Sequence, residues 1–174
     1  MNDNKSQVLI RRATAEDAST LAVLGAATFT ETFGHLYPPE DLQAFLVGSH
    51  SVDVWRRKLS DPQCGVWIAI LDQSAVGFIT VGVCKLPIQN REANAGEIQQ
   101  LYVLARHHNL KLGSRLMDLG LEWLDAQGKT PLYIGVWSEN PGAQRFYGRY
   151  GFTKVGEYGF PVGETVDREF ILKR

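Results

Sequence analysis

Five side chains able to hold an anion lie within ten residues of one another: Arg106, His107, His108, Lys111 and Arg115, with no acidic residue among them. They stand where a long helical pattern begins, the wrong end for cations, each of which costs roughly 0.3–1 kcal/mol at an exposed helix N-terminus. The placement makes sense if an anion binds there, because the first backbone N–H groups of a helix have no partner within it. Phosphate is the natural candidate. The same cluster is equally consistent with a solvated basic loop, since the penalties are small.

Other phosphate and metal chemistries find no support. The chain has no Gly-x-x-x-x-Gly-Lys-Ser/Thr loop and no Gly-x-Gly-x-x-Gly turn, which argues against nucleotide kinases and dehydrogenases. His35 and His50 have no metal-ligand spacing, and the adjacent His107 and His108 point apart, so no metal is expected. Cys64 and Cys84 are too few and too far apart for a disulfide framework or a four-ligand zinc site and are read as reduced thiols.

The elements that must position these residues fit one domain, 1–174. With 44% hydrophobic and 21% charged residues the chain has the balance of a packed soluble protein. Its 18 basic against 19 acidic residues provide no broad cationic field for nucleic acid. Residues 1–7 are polar, with no apolar signal core, and no later apolar run reaches membrane-spanning length; the cytoplasm is the expected compartment.

Residues 8–13 read as a strand. Thr14 and Asp17 then resemble a helix cap before Ala18, Leu21, Ala22, Leu24 and Gly25. Helical stretches follow from Pro38-Pro39-Glu40-Asp41 toward Val47 and over residues 51–59. Residues 65–71 and 75–84 form a hairpin about Asp72-Gln73-Ser74, and residues 96–104 form a further strand. Leu112, Leu116, Leu119 and Trp123 keep the 3.6-residue period until Gly128. Residues 131–136 are a strand, Asn140-Pro141 caps a helix over 142–150, and residues 153–158 and 166–172 are the last strands. The hairpins exclude a closed parallel barrel and leave a mixed α/β sheet covered by helices.

Three segments of this chain, in order, resemble the GNAT superfamily of acyl-CoA-dependent N-acetyltransferases. Glu97-Ile98-Gln99-Gln100-Leu101-Tyr102-Val103 is similar to its fourth strand, and His108 to Leu116 to its pyrophosphate loop. Asn140-x-x-Ala143-x-x-Phe146-Tyr147 followed by Gly151-Phe152 is the most specific match. Within the loop His108 stands for the usual Gln or Arg and Lys111 for the first glycine, Gly113 alone being kept; Asn109 also lies where glycine is common. Lysine there must accept a backbone that suits glycine, and its charge would offset this by pairing with a phosphate. Glu31-Thr32-Phe33, Asp41-x-x-x-Phe45-Leu46 and the tail Val155-Gly156-x-x-x-Phe160-x-Val162-Gly163 with Asp167 resemble the PaiA-like polyamine acetyltransferase branch.

The resemblance implies a mostly antiparallel GNAT sheet in which residues 96–104 and 131–136 splay apart to admit acetyl-CoA, and direct transfer to an amine without a covalent enzyme intermediate. Coenzyme A would be held by Leu101, Tyr102, Val103, His108, Asn109, Leu110, Lys111, Leu112, Gly113, Ser114, Asn140 and Tyr147. Tyr147 would protonate the departing thiolate, against the plainer reading of aromatic packing beside Phe146 and Tyr150. Glu97 is typed for the base, directly or through water, and equally for a solvated carboxylate or an ammonium anchor. Asn140 serves as helix cap as well. Glu31, Tyr37, Asp41 and Trp67 supply the carboxylates and aromatic faces a polyamine needs, residue types that are more often plain surface or core. A small amine such as spermidine or spermine is the expected partner, with no nucleic acid and no membrane. A homodimer accords with the family, although the sequence carries no decisive interface signal. Acetylation of a protein N-terminus or another small amine, and an acyl-CoA sensor without turnover, are the competing readings.

Overall fold

The computed structural model describes residues 7–174; residues 1–6 of the polar start lie outside it. The elements are β1 (Val8–Arg12), α1 (Ala18–Phe33), α2 (Pro39–His50), α3 (Val52–Ser60), β2 (Cys64–Leu71), β3 (Ser74–Val83), β4 (Gly96–Val103), α4 (Leu112–Ala126), β5 (Leu132–Trp137), α5 (Pro141–Arg149), β6 (Thr153–Val162) and β7 (Thr165–Lys173). Local chemistry sets their ends. The Asp17 carboxylate accepts the Thr14 N–H at 2.8 Å before α1, and the Asn140 side chain accepts the Ala143 N–H at 3.1 Å before α5, with proline in the first turn. Asp72 and Gln73 take positive φ values of 47° and 69°, the handedness a tight β2–β3 turn requires.

One seven-stranded sheet runs β1-β2-β3-β4-β5-β7-β6 and is antiparallel except between β4 and β5. α4 covers one face. Leu112, Leu116, Met117, Gly120 and Leu124 are its buried stripe, and each fully buried leucine contributes roughly 2 kcal/mol. Gly120 must lack a side chain, because a Cβ there would stand 2.8 Å from Ile79 Cδ1. The other face carries α1 and α3, whose fully buried Trp55 meets Phe78 edge-on at 5.2 Å.

The helical pattern that starts the chain continues past Gly25 to Phe33. Gly25 does not interrupt α1; it gives space to the His50 ring, whose Cε1 would lie 2.9 Å from a Cβ. The extension carries Phe29, Thr32 and Phe33 on a helix over the sheet.

The expected splay is present and has a local cause. In the β3–β4 register Thr80 pairs with Gln100 but Val81 pairs with Ile98, leaving Gln99 as the extra residue of a bulge. Bulges bend a strand and end its pairing. β4 meets β5 only at Gly96–Leu132 and Glu97–Tyr133, after which the two strands part. Lys58 Nζ donates to Gln100 Oε1 at 2.6 Å and Thr80 Oγ1 to the same oxygen at 3.2 Å, tying the bent strand to α3 and β3.

Candidate active site

The parting of β4 from β5 opens a cleft of about 700 Å³. Its walls come from both faces of the sheet: Phe29, Phe33 and Tyr37 on the side of α1, and His108, Lys111, Gly113, Phe146 and Tyr147 on the side of α4 and α5. Because β4 leaves β5 after Glu97, backbone groups of β4 from Gln99 onward that face the gap have no strand partner, and a ligand in the cleft can pair with them.

One end is suited to phosphate. A 3-10 turn over Ala105–Leu110 leads into Lys111, whose φ of 56° and ψ of 23° are left-handed, as a residue replacing glycine there must be. The first α4 hydrogen bond is Arg115 N–H to Lys111 C=O at 3.2 Å, so the amides of Leu112, Gly113 and Ser114 precede the helical bonding pattern. Gly113 has nothing closer than Phe146 at 3.8 Å to a Cβ, leaving open room against those amides. Lys111 and Arg149 also stand in this wall. Two contacts hold the turn: His108 Nε2 donates to the Val103 carbonyl at 2.7 Å, and the Glu31 carboxylate accepts the Ala105 N–H at 2.9 Å.

The other end is aromatic and acidic. Tyr147 is buried in the wall, and its hydroxyl makes no hydrogen bond among the described residues. Burial first, then the negative charge of Glu169, raises its pKa well above the usual phenol value, so it stays a proton donor near neutrality. Tyr102 is raised in the same way, by burial and then by Tyr147 and Glu169. Tyr37 donates a short hydrogen bond to the Asp167 carboxylate. Glu169, half-buried on β7, is pushed up to about 7 by burial and by Asp167. Phe33 meets Trp137 edge-on at 5.7 Å across this end. Glu97 lies at the root of the fork, buried, with its carboxylate accepting the Lys85 N–H at 2.7 Å; burial raises it to about 7 despite that bond.

The expected residues are only partly gathered. Leu101, Tyr102, Val103, His108, Lys111, Gly113, Ser114, Asn140 and Tyr147 line the cleft. Asn109 and Leu110 belong to the 3-10 turn outside its walls, and Leu112 is buried in the core beneath α4. Of the four amine-pocket candidates Tyr37 alone is a wall residue. Glu31 caps the loop at Ala105, and Asp41 lies against Gly163 in the β6–β7 turn. Trp67 stacks edge-on with Trp123 at 6.3 Å on the α4 face, with the Arg12 guanidinium 4.5 Å above its ring. Glu97 sits behind the wall. Glu169 and Tyr158 are wall residues that the sequence did not single out. The available signal was the alternation Asp167, Glu169 on one face of the last strand, but its destination depends on β7 inserting between β5 and β6.

Among the described residues no group of three His, Cys, Asp or Glu side chains is placed to hold a metal, and no helix is long and apolar enough to cross a membrane. Cys64 and Cys84 are buried free thiols.

Residues 27–152 match the Acetyltransferase (GNAT) family. The chain is 26% identical over 171 residues to an uncharacterized N-acetyltransferase of Lactobacillus delbrueckii subsp. lactis, covering 96% of both chains. It is 21% identical over 169 residues to the spermidine N(1)-acetyltransferase of Thermoplasma acidophilum, covering 95% of each. Its fold superposes on the PaiA N-acetyltransferase of Thermoplasma acidophilum, solved in complex with coenzyme A, with a TM-score of 0.77, 20% identity and coverage of 97% of this chain and 98% of that one. A seven-stranded sheet forked at β4 and β5, a helix start open to phosphate and the matched 126-residue segment together place this chain in the GNAT family of acetyltransferases, as an acetyl-CoA-dependent N-acetyltransferase.

Proposed function

We propose that this enzyme carries the acetyl group of acetyl-CoA directly to a primary amine, with polyamines such as spermidine or spermine as the acceptor class. The observation that carries the reading is the cleft itself: it crosses the sheet, with a basic, amide-rich end on one side and a carboxylate and aromatic end on the other. The likeness to a spermidine N(1)-acetyltransferase supports the polyamine class.

The residues fit coenzyme A. The amides at the start of α4, with the side chains of Lys111 and Arg149, would face its phosphates, and the unpaired backbone of β4 around Leu101 to Val103 would hold the acyl end. Bound coenzyme A supplies an activated acetyl carbonyl on a sulfur leaving group. Tyr147, which carries its proton at neutral pH and lines the cleft, would give that proton to the departing sulfur. A carboxyl near neutrality is suited to take the proton of the amine. Glu97 and Glu169 share that property; Glu169 stands in the wall, whereas Glu97 lies behind it and would reach the amine only through water.

The test is release of free thiol from acetyl-CoA with a panel of polyamines, amino acids and peptides. Turnover with spermidine or spermine is expected, with kcat falling about 100-fold in Tyr147→Phe while the KM for acetyl-CoA changes little. Turnover confined to another amine discards the polyamine assignment. Acetyl-CoA binding without turnover across the panel favours a sensor.

A further inference from the structure

We propose that Glu169 is the group that receives the acceptor's ammonium in the cleft and takes the first proton from it, which makes the enzyme selective for amines that arrive as cations. The proposal rests on the reading of this cleft as the place of acetyl transfer.

Position comes first. Glu169 pairs with Trp137 on one side and with Tyr158 on the other, at the level where β5 has already left β4. It is part of the cleft wall, as are Tyr102, Trp137, Tyr147 and Tyr158. Aromatic faces beside a carboxylate make a site for an ammonium ion, since the ring quadrupoles and the negative charge attract it together.

Second, Glu169 is the one carboxyl among the described residues of the cleft wall, and it has no partner. Glu97 accepts the Lys85 N–H, Asp167 accepts from Tyr37, Glu31 accepts the Ala105 N–H, and Glu157 is bonded to Lys154 and Arg168. Among the described residues nothing donates a hydrogen bond to the Glu169 carboxyl. A half-buried carboxylate without a cation is costly, and the favourable answers are to hold a proton or to meet a positive charge. An ammonium does both, by pairing with the charge and then supplying the proton. The titratable groups facing Glu169 are Asp167 beside it on β7, Tyr158 on β6, Tyr102 on β4, Tyr147 on α5 and Tyr37 between α1 and α2. None of these is a lysine or arginine that would compete for the carboxylate.

The protons balance. Glu169 removes one proton from the ammonium, and the freed nitrogen pair forms the bond to the acetyl carbonyl carbon. The carbon–sulfur bond breaks, the sulfur takes its proton from the Tyr147 hydroxyl, and the second proton leaving the nitrogen restores that hydroxyl. Glu169 passes its proton to solvent, so one proton is released for each amide formed.

Glu169→Gln keeps the shape and removes the charge and the proton acceptor. It is compared with wild type and Glu97→Gln on spermidine, on simple alkyl amines and on an arylamine that is already neutral at neutral pH. Glu169→Gln is expected to lose about 100-fold in kcat/KM for the cationic amines at neutral pH. It should keep its rate on the arylamine, and recover on the alkyl amines as the pH is raised until they are neutral. Unchanged coenzyme A affinity separates this from a folding defect, and if Glu169→Gln does not fold, Glu169→Asp must preserve the preference for cations. Equal losses on charged and neutral amines would overturn the proposal, as would the selective pattern appearing in Glu97→Gln instead. If wild type refuses spermidine but acetylates another cationic amine in this pattern, the polyamine reading fails and the role of Glu169 stands.

Discussion

Lys111 joins a backbone penalty to a charge that we propose faces a coenzyme A phosphate, and two substitutions separate them. A non-glycine residue in the left-handed region costs about 1–2 kcal/mol, and Lys111 occupies it at φ 56°. Its charge at the start of α4 costs roughly 0.3–1 kcal/mol more in the absence of an anion. Lys111→Gly relieves both but frees the unfolded chain by about 0.4–1 kcal/mol, so the ligand-free enzyme should gain about 1 kcal/mol, or about 2–4 °C in Tm. Lys111→Met keeps the backbone penalty and removes only the charge, and should gain a few tenths of a kcal/mol. Both lose one point-charge pairing with phosphate. At about 1 kcal/mol this weakens coenzyme A binding roughly fivefold, and less so at high salt. The assays are urea unfolding of the free enzyme and calorimetric titration with coenzyme A at two ionic strengths. If Lys111→Gly is no more stable than Lys111→Met, the backbone argument is wrong. If both bind coenzyme A as tightly as wild type, the lysine is a solvated surface charge.

Glu97 gives a stability prediction with a definite sign. Its folded-state pKa of about 7 lies above the ordinary 4.5, so its contribution is fully present below about 4.5 and is lost as pH rises through about 7. Glu97→Gln should therefore gain stability relative to wild type between about pH 4 and about pH 8, read from melting temperatures; a constant difference would show an unperturbed carboxyl. Gly25→Ala improves helix propensity but drives a methyl into the buried His50 ring, which packs against Trp55 at 6.1 Å. A net loss of about 1–2 kcal/mol is expected in urea unfolding, and a gain would mean that the ring moves aside freely.

What the chain alone determined is local. The Thr14–Asp17 pair, the Asn140-Pro141 cap and the leucine stripe of α4 act over three or four residues, and the hairpin turn at Asp72 over two, so each could be read where it stands. The basic turn at the start of α4 and Tyr147 on α5 were legible for the same reason, because a helix start and a motif on a single helix carry their geometry with them. The acidic, aromatic end of the cleft was not. Glu31, Asp41 and Trp67 have the right chemistry, yet tertiary contacts assign them to the Ala105 amide, the Gly163 turn and the Trp123 ring. Glu169 and Glu97 are ordinary strand residues until register decides their surroundings. β7 enters the sheet between β5 and β6, and that order brings Glu169 into the cleft wall that also holds Tyr147. One extra residue at Gln99 bends β4 away from β5 and leaves Glu97 behind the opening. Strand order and bulge position are settled by contacts between residues far apart in sequence, and no local pattern encodes them.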